Sequence, residues 1–300
     1  GERNSLLIQR LKDKLGNRSN ASSEMELQDT WGLMVGGDGR GIPTIIEMVQ
    51  GNRFYCCASS AGMMRQGVVQ ALHDTRHREA FRKKLAHQPL MRNVLADLAL
   101  ESEAALALTL RTGRAMDEAQ EGDEMAAAFA RIGTAIGKYW ICKRAPEHAF
   151  EAMECHGGPG YIEESIMPRI YREAPVNSIW EGSGNVICLD VLRALAREPI
   201  TADAVVTELE LARGANRNLD SAIDRVKNEL ADRENLEVRA RRVTEMMATS
   251  LQGALLVRHA PDTVSNAFCA SRLGAQWLGT FGTLSAGEDL DKIIGRAVPA

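Results

Sequence analysis

Residues 155–193 read CHGGPGYIEESIMPRIYREAPVNSIWEGSGNVICLDVLR. Two glycine clusters bracket the functional part of this stretch, Gly157-Gly158-Pro159-Gly160 and Gly182-Ser183-Gly184. Between them lie an arginine-rich segment and the carboxylate of Glu181, set directly before a glycine. Glycines concentrated between helical segments mark a backbone that turns tightly or approaches something closely. A carboxylate beside such a backbone is a candidate base.

Helical patterns run up to this stretch and away from it. After Pro43, residues Ile45, Met48, Val49, Ala58, Ala61, Met64, Val68 and Leu72 keep helical spacing. Met91, Leu95, Leu98, Ala105 and Leu108 predict a second helix ending near Ala115. Gly122-Asp123 reads as a turn and N-cap. A third helix follows through Met125, Phe129, Ile132, Ile136, Tyr139 and Ile141. Pro146 is expected to bend or interrupt it, with a new helix from about Glu147. Val186 to Leu195 gives the fourth. The fold class is therefore mainly α, an antiparallel four-helix bundle with a further helical region behind it.

The flanks differ. In residues 1–42 short apolar or alternating runs precede Gly36-Gly37-Asp38-Gly39-Arg40-Gly41. They read as one or two strands with turns, then a loop. The Gly37-x-Gly39-x-Gly41 spacing lacks the Lys-Ser/Thr of a phosphate loop. After Pro199, Thr201 is placed to cap a helix. Leu219, Ile223, Val226 and Leu230 form one stripe, and Val243, Met246, Met247, Leu251, Ala254 and Leu255 another. A last helix is expected over 263–278.

The 300 residues are 45% hydrophobic with a formal net charge of -4, enough for a sizeable core and one or two domains. So small a charge gives no strong pull toward nucleic acid or a membrane surface. No run approaches the ~18–20 apolar residues of a membrane span, and the first residues show no apolar leader core. The six cysteines form no C-x-x-C pair and no zinc spacing, so no metal site is expected. They read as reduced, buried thiols of a cytoplasmic protein. The basic segment His73, Arg76, His77, Arg78, Arg82, Lys83, Lys84 has two open readings: cations at a helix C-terminus, or an anion site.

Gly157-Gly158-Pro159-Gly160-Tyr161, Arg169-Ile170-Tyr171-Arg172-Glu173-Ala174 and Ile179-Trp180-Glu181-Gly182-Ser183-Gly184-Asn185 occur in one order and spacing. On these motifs the chain resembles the acyl-CoA dehydrogenase superfamily. Within it, the chain is similar to the AidB-type branch, which carries an IWEGSGN form of the catalytic motif and an extra C-terminal helical region. The resemblance implies three parts. Residues 1–42 would be the end of a middle β-domain and a connecting loop. Residues 43–197 would be the family's C-terminal four-helix bundle, and 198–300 the extension. The N-terminal helical domain and most of the β-domain are not in this sequence, which reads as a C-terminal portion.

The resemblance also implies chemistry: α,β-dehydrogenation of an acyl-CoA, with the α-hydrogen leaving as a proton and the β-hydrogen as a hydride to N5 of FAD. Electron-transfer flavoprotein or oxygen would be the acceptor. By its place in the motif Glu181 matches the family's base. A second family position for that base aligns near Leu72, which cannot do the work. Gly182, Ser183 and Asn185 match positions that meet the flavin. Gly157 and Gly158 match a pair that packs against a neighbouring subunit's FAD. Arg78 and Phe81 match an R-x-x-F segment whose arginine binds the pyrophosphate across the interface, a geometry arginine suits. These roles imply a homo-oligomer, a dimer or tetramer. The family's usual glycine after that phenylalanine is Arg82 here, a bulky cation where close approach is expected. The alternative reading comes from the same branch, which is associated with DNA binding and alkylation response. For DNA, the candidate basic face is Arg239, Arg241 and Arg242, although residues 201–300 hold 12 Lys/Arg against 14 Asp/Glu.

Overall fold

The computed structural model describes residues 1–232, 234–274, 279–284 and 287–299. Three long helices form its centre: α1 (Gly41–His77), α2 (Pro89–Gln120) and α3 (Glu124–Glu154). α1 and α3 run parallel, since Cys57 meets Thr134 and Gly67 meets Ala152. α2 runs antiparallel to them, with Leu108 near Gly137 and Leu98 bonded to His148. Two short helices, α4 (Gly158–Tyr161) and α5 (Met167–Glu173), and a 3-10 turn, Ala174–Ser178, then lead back to α6 (Gly184–Arg197). α6 descends antiparallel to α3: Gly184 lies beside Tyr139 and Asp190 beside Arg131. The result is an up-down-up-down bundle, as the helical periodicities imply.

Its interior is built from Leu72, Leu95, Leu98, Leu108, Phe129, Ile132 and Ile136, each fully buried. Each such side chain contributes on the order of 1.5–3 kcal/mol by leaving water. The Asp123 carboxylate accepts from the Ala126 amide and starts α3 as the sequence predicts.

Pro146 does not interrupt α3, which continues unbroken to Glu154. A mid-helix proline costs about 3 kcal/mol. The flanking turns offset it, because Ala145, Ala149 and Ala152 are buried against the neighbouring helices. The fourth helix, α6, is also shorter than the other three at 14 residues.

The chain continues as α7 (Ile200–Glu210), α8 (Arg217–Ala231), α9 (Leu236–His259) and α10 (Asp262–Phe268). A π-turn, Cys269–Leu273, and α11 (Leu290–Ala297) complete it. The helix expected over 263–278 thus ends early as a regular α-helix, and its last part, 275–278, lies outside the described residues. Thr201 does not cap α7. It lies inside the helix, buried, and its hydroxyl donates back to the Glu198 carbonyl at 2.7 Å. The apolar stripes of α8 and α9 face inward as predicted, through Leu219, Ile223, Val226, Val243, Met247 and Leu251.

α9 packs on α2, α3 and α6. A buried ion network ties this layer to the bundle. Arg272 reaches Asp97 and, at 3.0 Å, Glu101, while Arg144 lies 3.4 Å from the other Glu101 oxygen. The Trp140 indole donates to the Gln252 side chain at 3.1 Å.

Ahead of the bundle, β1 (Leu7–Leu11) and β2 (Ser23–Glu26) pair antiparallel and are largely exposed. The loop between them is gathered by the Lys14 ammonium, which donates to the carbonyls of Asn17 and Asn20. The Asn17 amide donates to the Glu173 carboxylate and anchors the hairpin to the end of α5. A second hairpin, β3 (Glu79–Ala80) with β4 (Lys83–Lys84), links α1 to α2. No helix among the described residues is long and apolar enough to cross a membrane.

Candidate active site

Glu181 sits at the apex of the turn between the 3-10 segment and α6. Its backbone is left-handed, φ +57°, and Gly182 follows at φ +111°. For a residue with a side chain such a conformation costs about 1–3 kcal/mol and persists only where its surroundings hold it. Gly182 has to be glycine: a Cβ there would lie 3.1 Å from Ile187 Cδ1 in a strained backbone region.

What holds the turn is a buried ammonium and a part-buried guanidinium. The Lys138 ammonium, from the middle of α3, donates to the Trp180 carbonyl at 2.8 Å and to the Gly182 carbonyl. Arg53 Nε, from α1, donates to the Glu181 carbonyl at 2.9 Å. Arg53 is itself fixed by Asp190 of α6 at 2.9 Å, and Arg131 of α3 grips the same carboxylate with two bonds. Three consecutive carbonyls thus point into the bundle. In a trans peptide the N–H points opposite to its carbonyl, so the amides of Glu181, Gly182 and Ser183 face away from those cations.

The Glu181 carboxylate lies in a cleft of about 230 Å³ whose walls include Asn52, Tyr55, Cys56, Ser59 and Trp180. The Asn52 amide donates to Glu181 Oε1 at 3.2 Å. Asn52, rather than Leu72, is therefore the α1 side chain that meets the carboxylate. Leu72 is buried in the bundle core. The conclusion drawn from Leu72 is unchanged, since a neutral amide cannot replace a carboxylate as base. Trp180 is oriented by its indole N–H on Asn177, which in turn donates to Ser60 at 3.1 Å. Burial pulls the Lys138 ammonium below the usual lysine range, against the opposing thiols of Cys142 and Cys56. Burial, and then Cys142, push the Cys56 thiol up to about 11, which keeps it protonated and a poor nucleophile.

Ser183 and Asn185 are exposed at the start of α6. Ser183 occupies the N-cap position without a side-chain cap bond, and no acidic residue lies in the first turn. A Cβ at Gly184 would come within 3.3 Å of Arg241 and 3.6 Å of Lys143. The positive end of this helix therefore has two cations beside it, one of them from the C-terminal layer.

The other predicted residues gather elsewhere. Arg78 donates to the His156 carbonyl, and a Cβ on Gly157 would meet its guanidinium at 3.3 Å. Gly157 itself has φ +63° and ψ −142°, a conformation open essentially only to glycine. Gly158 follows, exposed, and Phe81 projects nearby on the β3–β4 hairpin, 94% exposed. Arg53 lies on α1 and Arg78 is the residue just past its end, 25 positions on, about 37 Å at 1.5 Å per residue. The structure thus brings Glu181, Gly182, Ser183 and Asn185 together at one place and Arg78, Phe81, Gly157 and Gly158 at another.

The two basic segments differ from their expected surroundings. Phe81 and Arg82 form a two-residue hairpin loop, with φ of +53° and +63°. A glycine at 82 would serve the left-handed turn, so the backbone gives its own reason for glycine there, besides close approach. The basic segment also serves helix termination, since the Lys84 ammonium donates to the His77 carbonyl at 2.8 Å. Arg239, Arg241 and Arg242 do not form a free basic face. Arg239 pairs with Glu229 and Asp232, Arg242 pairs with Glu229, and Arg241 lies over the Tyr139 ring.

Residues 39–196 match the family model described as acyl-CoA dehydrogenase, C-terminal domain. The putative acyl-CoA dehydrogenase AidB of Escherichia coli is 42% identical over 269 residues, which is 90% of this chain and 49% of that protein. The crystal structure of Caenorhabditis elegans ACDH-11 in complex with C11-CoA superposes with a TM-score of 0.84 at 26% identity, over 90% of this chain and 51% of that one. The Bacillus anthracis acyl-CoA dehydrogenase complexed with FAD shares the fold, with a TM-score of 0.71 at 17% identity over 89% of this chain and 55% of that one. The chain spans about half the length of these relatives. It belongs to the acyl-CoA dehydrogenase family.

Proposed function

We propose that this chain is the C-terminal helical part of a flavin-dependent acyl-CoA dehydrogenase, with Glu181 as the base that removes the substrate's α-proton. The observation that carries the reading is the Glu181 turn. Its carboxylate stands in an open cleft, its backbone is strained, and buried Lys138 with part-buried Arg53, from two helices, fix the carbonyls at 180, 181 and 182. Strain of this kind, held from beneath, fits a group that must keep one aim.

An α-hydrogen of a thioester is weakly acidic, so proton transfer needs a positioned carboxylate. Asn52 would keep one oxygen of Glu181 hydrogen-bonded and so orient the other. The outward amides of Glu181, Gly182 and Ser183 are donors for negative charge, and charge developing on an acyl oxygen is stabilised by such groups. FAD, when bound, supplies the hydride acceptor. Ser183, Asn185 and the α6 N-terminus, with Arg241 and Lys143 beside them, suit a phosphate-bearing cofactor. Arg78, Phe81, Gly157 and Gly158 would serve the FAD of a neighbouring subunit, because about 37 Å of α1 separates them from the Glu181 turn. On the same reading the protein is a dimer or tetramer.

On the same reading residues 1–42 end a β-domain, 43–197 are the bundle and 198–300 the extension. Exposed Trp31, Leu33, Met34, Val35, Ile42 and Ile45 support further protein covering that end. Six free, buried thiols support a reducing compartment such as the cytoplasm. For the acceptor we propose electron-transfer flavoprotein or oxygen. The test is anaerobic: an acyl-CoA should bleach the flavin of the full-length protein, and Glu181→Gln should abolish the bleaching. Full reduction by that variant would remove Glu181 from the role.

A further inference from the structure

We propose that Lys138 is a positioning residue for the base, acting through the main chain on both sides of Glu181. The proposal rests on Glu181 being that base. Lys138 is 1% exposed, within Ile132–Cys142, a stretch of α3 otherwise made of uncharged buried residues. Among the described ion pairs it has no carboxylate partner. A buried ammonium without a counter-ion is costly. If packing alone were required, methionine or leucine would fill the position at lower cost.

The ammonium's hydrogen-bond partners explain the expense. They are the carbonyls of Trp180 and Gly182, one on each side of the left-handed residue. The Trp180 carbonyl belongs to the 180–181 peptide, which sets φ of Glu181, and the Gly182 carbonyl to the 182–183 peptide, so Lys138 pins both ends of the left-handed Glu181–Gly182 pair and with them the direction of the Glu181 Cβ and carboxylate. Arg53 holds the 181–182 peptide between those two through the carbonyl of Glu181, but it depends on Asp190 for its own position. Lys138 comes from a different helix and needs no intermediary. Without it, the strain at φ +57° would be free to relax and the carboxylate would lose its aim. Misplacement of a catalytic group by about 1 Å can cost on the order of 100-fold in rate.

The test uses the full-length, flavin-loaded protein with Lys138→Met, an apolar side chain of similar length. Hydrogen exchange of the amides over 179–185 should quicken roughly tenfold or more, with exchange in the rest of α1–α3 unchanged. Flavin reduction by saturating butyryl-, octanoyl- or palmitoyl-CoA should slow roughly 100-fold, while bound flavin and acyl-CoA affinity stay at the wild-type level. Lys138→Gln keeps a shorter donor and should fall between the two. It also serves as the test variant if the methionine variant does not fold. Glu181→Gln, measured alongside, should leave exchange unchanged and abolish reduction. Wild-type exchange over 179–185 in Lys138→Met, or wild-type reduction while Glu181→Gln is dead, overturns the positioning role. Full reduction by Glu181→Gln instead overturns the base, and the catalytic part of this proposal with it.

Discussion

Replacing Arg272 with methionine should loosen the C-terminal layer from the bundle and change the sign of a pH effect. Arg272 is 3% exposed at its side chain, and its partners Asp97 and Glu101 are 0% and 1% exposed. The two buried carboxylates face two guanidinium groups there, Arg272 and Arg144, and Arg144 also pairs with the exposed Glu147. Removing one partner of a buried pair leaves an uncompensated charge and costs about 3–5 kcal/mol. At a few degrees per kcal/mol for a chain of this size, the melting temperature should fall by roughly 10 °C. Burial pushes the Glu101 carboxyl up, but Arg144 and Arg272 together outweigh it and hold the group at about 2, below its ordinary 4.5. Its ionised form therefore stabilises the fold above pH 4.5, and that share fades as pH falls toward 2. In the variant, burial of Glu101 is opposed by Arg144 alone, its carboxyl takes up a proton more readily, and protonation relieves the unpaired charge. The gap between wild type and variant should then narrow from pH 7 to pH 4. Urea unfolding at both pH values measures it. A loss below about 1 kcal/mol, or the same loss at both pH values, would refute the argument. Replacing Asp97, Glu101 and Arg272 together with apolar residues of similar volume should recover much of the stability.

Two further outcomes follow from the site. Asn52→Leu removes the amide on Glu181 Oε1, and kcat/KM for acyl-CoA should drop roughly tenfold, the equivalent of about 1.4 kcal/mol, in steady-state assays of the full-length enzyme. Arg82→Gly relieves a left-handed residue in the β3–β4 loop and should stabilise by about 1 kcal/mol, seen as a melting temperature a few degrees higher. A lower melting temperature would mean that the Arg82 side chain makes a contact worth more than the strain.

Periodicity was sufficient for the bundle because four amphipathic stretches leave few other ways to bury their apolar faces, and the Asp123 cap announces itself in sequence. It was insufficient where tertiary packing overrides local preference. Pro146 stays inside α3 because the alanines around it are buried against the neighbouring helices. The WEGSGN motif located Glu181, but its supports were not read. Asn52, Arg53, Lys138 and Asp190 come from three helices, and a polar residue in a helix ordinarily belongs to a solvated face. Lys138 had a visible signal, a lone charge inside the apolar run 132–142. Asn52 had none, since only folding brings it within 3.2 Å of a residue 129 positions away. The backbone reason for glycine at 82 had no sequence signal either: sequence shows that a position favours glycine, and only the fold shows that φ is positive there.

The most direct test of the central claim is the anaerobic spectrum of the full-length flavoprotein mixed with acyl-CoA, wild type against Glu181→Gln. The account predicts that the flavin absorbance near 450 nm bleaches in wild type and persists in the variant, with acyl-CoA still bound. Bleaching of Glu181→Gln at the wild-type rate would contradict it.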